Sequence, residues 1–117
     1  MAYFPANNVG GLKYKTLATA SGSATWASKL STLYSTFSGL TTDKQRCCII
    51  EYAGQTYLPS KLSGKYTRFS GDTSHLYMEI VDISTSKYLI STDGAAPQDK
   101  SSTSISGAVT LLMLTIE

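Results

Sequence analysis

His75 is the chain's one histidine, and it stands one and three residues from possible partners in "GDTSHLYME", Ser74 and Asp72. A base, a hydroxyl nucleophile and an orienting carboxylate are the parts of a hydrolytic triad. Their closeness in sequence argues against that use, because near neighbours in a turn and at a strand edge rarely project into one triad, and no G-x-S-x-G elbow is present. A second chemistry would pair two carboxylates across a glycosidic bond, drawn from Glu51, Glu79 and Asp82, but nothing in the sequence sets their separation. A small hydrolase using either set is the enzymatic reading of the chain. The favoured expectation is a protein that is not an enzyme.

The adjacent Cys47 and Cys48 lie in "RCCIIEYA", a strand-like run in which consecutive side chains leave opposite faces. Two sulfurs so placed do not meet one partner, and the expectation is a pair of small reduced core residues. With a single histidine and no further cysteine, a tetrahedral zinc site is not expected. Neither is another metal or a cofactor, since no phosphate loop or dinucleotide fingerprint occurs.

A binding surface is easier to build from these residue types. Alternation along consecutive strands puts Tyr66 and Arg68 on one side of the first, His75, Tyr77 and Glu79 on one side of the next, and Tyr88 in the third. Tyrosines beside charged groups on an open sheet face form a platform on which sugar rings stack while polar neighbours address their hydroxyls. The blander use of the same tyrosines is as the rim of a β core and as cross-strand pairs.

The elements that must position these residues follow from the pattern. In "SATWASKLSTLYSTFSG" the residues Trp26, Leu30, Leu33, Tyr34 and Phe37 mark one face of a helix over about residues 24–38, opposed by a face of Ser28, Lys29, Ser31, Thr32, Ser35 and Thr36. Ser23 is the expected N-cap and Gly39 the expected left-handed terminator. Around the helix the period drops to two. "GGLKYKTLATASG" gives an early strand, and "RCCIIEYA" and "TYLPS" a hairpin turning at Gly54 and Gln55 in type II′ geometry. "GKYTRF" gives another strand, and residues 75–92 a hairpin that turns at "STS". Residues 91–104 read as a loop with little to bury. The last run, "GAVTLLMLTIE", is apolar on both sides, which suits a central strand between two layers. The sum is a mainly β fold, α+β at the margin: an antiparallel, sandwich-like single domain over residues 1–117, with six or seven strands, one amphipathic helix and an extended leader at 1–11.

Composition narrows the partners. Charged residues are only 15% of the 117, the formal net charge is +2, and about a quarter of the chain is serine or threonine. No basic cluster supplies the electrostatic footprint of nucleic-acid binding. The N-terminus lacks the basic and apolar regions of a secretory signal, and no apolar run reaches the roughly 20 residues of a membrane helix. A hydroxyl-rich, weakly charged surface with open strand edges is poorly protected from strand-to-strand contact, so a homo-oligomer is expected.

In this texture the successive runs "YKTLATASGSATWASKLSTLYSTFSGLT", "TRFSGDTSHLYMEIVDISTSKYLIST" and "GAVTLLMLTIE" resemble small structural modules of phage and prophage tail fibres and related appendages. The resemblance covers most of the chain and carries no diagnostic motif. It implies a non-enzymatic virion or extracellular appendage component that assembles with copies of itself and touches a cell-surface glycan or protein receptor.

Overall fold

The computed structural model describes residues 12–59, 66–71, 76–92 and 96–116, with the backbone alone at 66–71, 76–78 and 92. The leader 1–11 and the triad Asp72, Ser74 and His75 lie outside the described residues. The fold is mainly β, antiparallel throughout, with one substantial helix. Among the described residues seven strands have three residues or more: β1 (Leu12–Ala20), β3 (Cys48–Tyr52), β4 (Gln55–Tyr57), β5 (Tyr66–Gly71), β6 (Leu76–Asp82), β7 (Lys87–Thr92) and β10 (Val109–Ile116). Three two-residue strands complete the set: β2 (Ala24–Thr25), β8 (Gln98–Asp99) and β9 (Ser104–Ile105).

One four-stranded sheet runs β1-β10-β3-β4 and the other β5-β6-β7-β8, while β2 pairs only with β9. The doubly apolar β10 is therefore central in the first sheet, as its composition requires. Val109 and Leu111 are buried on its inner side. Its outer side, with Leu112 and Leu114, is only half-covered. A register shift between Thr16 and Ala18 reverses the alternation of β1, so that Ala18 and Ala20 oppose Leu111 and Val109. The bulge thus exchanges the two sides that a regular alternation gives this strand. It turns small residues toward the core, where there is room for α1 (Trp26–Phe37).

The helix buries Trp26, Lys29, Leu30, Leu33 and Phe37 against β1 and β10 of one sheet and β7 of the other. Lys29 departs from the expected hydroxylic face: it is buried, and its Nζ donates to the carbonyl oxygen of Gly107. Thr25, rather than Ser23, is the N-cap, accepting from the Ser28 N–H at 3.1 Å. Gly39 does not take the left-handed conformation either. The helix tightens instead, with Gly39 N–H donating to Thr36 O and Leu40 N–H to Phe37 O, and leads into the short α2 (Thr42–Gln45). The hairpin joining β3 to β4 turns at Ala53 and Gly54, both with positive φ (51° and 78°), one residue earlier than Gly54 and Gln55. Two positive-φ central residues are the signature of a type I′ turn, not II′.

Helix and both sheets feed one hydrophobic cluster, which holds Leu30, Leu33 and Phe37 from α1, Ile50 and Leu111 from the first sheet, and Val81 and Tyr88 from the second. Ile83, in the turn between β6 and β7, is fully buried in the same cluster.

Candidate functional site

The most elaborate polar arrangement among the described residues is built on Glu79. Its neighbours in β6 alternate normally, and Val81, two residues on, is fully buried in the core, so Glu79 shares the core-facing side of the sheet. A buried carboxylate demands hydrogen bonds. Oε1 receives two, from the Tyr57 hydroxyl at 3.0 Å and the Tyr88 hydroxyl at 2.7 Å. Tyr57 comes from β4 of the first sheet and Tyr88 from β7 of the second, so this single oxygen ties the sheets together. Trp26, the first residue of α1, stacks on the Tyr88 ring with centroids 4.4 Å apart and meets Tyr52 edge-on at 4.8 Å. Tyr52 in turn packs so closely on Gly107 that a Cβ there would lie 2.9 Å from its ring.

The Tyr88 strand is secured by the segment 98–105. The Tyr88 N–H donates to Ser101 Oγ at 2.8 Å and its carbonyl accepts from Lys100 at 2.8 Å. The same segment serves the helix. Trp26 N–H donates to Thr103 O and Ala27 N–H to Ser101 O, which satisfies two of the amides that every helix N-terminus leaves open. Asp99 holds this segment in shape, accepting from Ser101 N–H at 2.8 Å and pairing with Lys87 at 3.0 Å. Bonding to Ser101, through hydroxyl and backbone, and then to Lys87 brings the Asp99 carboxyl down to about 2.

Of the residues expected on an open sugar-binding face, Glu79 and Tyr88 are instead 7% and 8% exposed and occupied with each other. The reason is register. Tyr66 stands opposite Val81, Arg68 opposite Glu79, and Tyr77 opposite Ser70 and Thr92. These positions fall on the side of the second sheet that carries Glu79 and Val81, the side turned to the core. For Tyr66, Arg68 and Tyr77 the description stops at the backbone, and His75 lies outside the described residues.

The carboxylates are not brought together. Glu51 is exposed and opposes Thr110 and Thr56, on the face of the first sheet away from Tyr57. Glu79 and Asp82 are three apart in one strand and so leave opposite faces; Asp82 accepts from the Ser84 hydroxyl at 2.8 Å. The cysteines are both free thiols, but only Cys48 is a core residue, and Cys47 is exposed just before β3. Burial, then the neighbouring Cys47, pushes the Cys48 thiol up to about 11. Among the described residues no three His, Cys, Asp or Glu side chains gather as metal ligands, and no helix is long and apolar enough to cross a membrane.

Sequence reasoning missed Tyr57, Tyr52 and Ser101 as partners in this cluster. Tyr57 carried a signal, since it alternates in step with Gln55 toward the side of Ile50, but its contact with Glu79 is between sheets and has no periodic trace. The fold and the cluster define a mainly β domain in which the carboxylate of Glu79 is internal and bonded to Tyr57 and Tyr88. No protein-family model, curated protein or solved structure matches the chain.

Proposed function

We propose that the protein is a non-enzymatic structural or adhesion module that assembles with copies of itself, as part of a phage-type tail appendage that contacts a cell-surface glycan or protein. The observation that supports this reading is the placement of polar and apolar groups. Glu79, with Tyr57 and Tyr88, is spent on joining two sheets, whereas four large hydrophobic side chains, Leu12, Tyr14, Leu58 and Ile116, stand exposed among the described residues. Such a distribution suits lasting contact with another surface, not turnover of a small substrate. The texture that resembles tail-fibre modules agrees with it: short hydroxyl-rich strands, 15% charged residues and an apolar last strand.

The test is immunogold labelling of particles induced from the source strain, read by electron microscopy alongside the neighbouring genes. Label on appendages, with tail, portal or holin genes adjacent, is the expected result. Label confined to the cell interior, together with neighbours that encode metabolic enzymes, would overturn the reading.

A further inference from the structure

The four large hydrophobic side chains that stand exposed among the described residues are Leu12 (66%), Tyr14 (51%), Leu58 (49%) and Ile116 (74%), and Leu12, Tyr14 and Ile116 belong to one surface. Leu12 opposes Ile116, Tyr14 opposes Leu114, and Leu112 opposes Ile49, so these residues share the outer face of the sheet β1-β10-β3-β4. Leu58 directly follows the last residue of β4, at the edge of the same sheet. Leu112, Leu114 and Ile49 fill the middle of the patch and are half-buried.

Among the described residues charge is nearly absent from this face. Glu51 lies at its far end, opposite Thr110, while Lys13 and Lys15 alternate to the reverse side of β1. We propose that this face is the surface through which two copies of the chain pack, related by a two-fold axis; the inference deepens the assembly part of the proposed function and rests on it. A neutral surface meets its own copy without like-charge contact, which is the condition an isologous interface sets. Four strands about 4.8 Å apart and six residues at about 3.4 Å each make a patch on the order of 400 Å² in plan. Side-chain relief brings two such patches near the roughly 1,000 Å² at which specific association begins.

Pairing through the β1 edge is the competing geometry, and the same residues oppose it. An antiparallel β1–β1 ladder centred on Tyr14 would set Lys13 against Lys15 of the other copy, and the bulge at residues 16–18 bends the edge away. The other edge, β4, is three residues long and is followed by Pro59.

Sedimentation equilibrium of the full chain from micromolar to millimolar concentration tests the inference, with Leu114→Glu as the disrupting variant and Ser31→Glu, on the exposed helix face, as the control. The expected result is a monomer–dimer equilibrium whose dissociation constant rises about tenfold or more in Leu114→Glu and is unchanged in Ser31→Glu. Tyr14→Lys, at an exposed edge position, gives the same answer if Leu114→Glu misfolds by circular dichroism. A wild-type chain that stays monomeric would overturn the inference and remove self-assembly from the proposed function with it. An oligomer that both variants leave intact, or one of three or more copies, would reject this two-fold surface and leave that reading standing. Flotation of a monomeric chain on phosphatidylcholine vesicles would reassign the face to lipid and also overturn the inference.

Discussion

Cys47 and Cys48 are neighbours in sequence and opposites in surroundings. The strand alternation legible in "RCCII" sends one thiol into the core and the other to the exposed side, although the residue types alone favour two buried thiols. Moving the Cys48 thiol from its ordinary 9.0 to about 11 lowers its thiolate fraction about a hundredfold at neutral pH, before any loss of access. A disulfide reagent at pH 8 should therefore titrate one thiol of the native protein promptly and the second only in denaturant. Prompt reaction of both would contradict the burial of Cys48. Asp99 yields a second prediction. Its folded value, about 2, lies below the ordinary 3.8, so its bonds to Ser101 and Lys87 stabilise the fold above about pH 4, and that contribution is lost as pH falls toward 2. Carbon-detected NMR should place the Asp99 midpoint near 2, and Asn in its place should remove this part of the acid sensitivity. A midpoint near 3.8 would show that the Ser101 contacts do not hold in solution. Glu79 marks the limit of reading single residues: its alternation was visible, but which face of the strand is buried depends on a partner sheet that the local sequence does not name.

At the scale of elements, what carries a period was readable and what is held by backbone bonds was not. The helix face from Trp26 to Phe37 and the two-sided apolarity of β10 were visible because side-chain spacing encodes them. The segment 98–105, "QDKSSTSI", shows polar side chains and a single isoleucine, with glycine and proline on either side. Its order comes from carbonyls that accept from Trp26 and Ala27 and from Ser101 beneath Tyr88, none of which leaves an apolar signature. The bulge in β1 was hidden for a related reason, since "LKYKTLATA" alternates acceptably in either register. Turn chemistry supplies a prediction. Ala53 holds a φ of 51°, where a Cβ is crowded, and the next residue is Gly54. Ala53→Asn recreates the Asn-Gly pair preferred in type I′ turns and should raise stability by about 0.5–1 kcal/mol in urea unfolding. No change, or a loss, would mean the turn relaxes to another form. In α1, Leu33 is fully buried and Ser31 exposed. Leu33→Ala should cost about 2–5 kcal/mol and Ser31→Ala less than about 0.5 kcal/mol, and similar effects at both sites would contradict the assigned helix face.

At the scale of the whole molecule, the question is whether two sheets that share no strand behave as one body. Their ladders are separate, and the link between them is side chains: the helix packed on both, the Tyr57–Glu79–Tyr88 bonds, and Ile83 of one sheet's turn set in the common cluster. A single cluster of this kind leaves no apolar surface by which either sheet could close a core alone. Below about 150 residues such an arrangement unfolds in one cooperative step. The chain's one tryptophan tests this directly, because Trp26 stacks on Tyr88 of the second sheet and meets Tyr52 of the first, so its emission reports the joint itself. Urea unfolding followed by Trp26 fluorescence should coincide in midpoint and slope with the loss of β-sheet signal in far-ultraviolet circular dichroism. An earlier fluorescence transition, with half the sheet signal retained, would mean the second sheet detaches while the first persists, and that the tyrosine–carboxylate link is not what couples them.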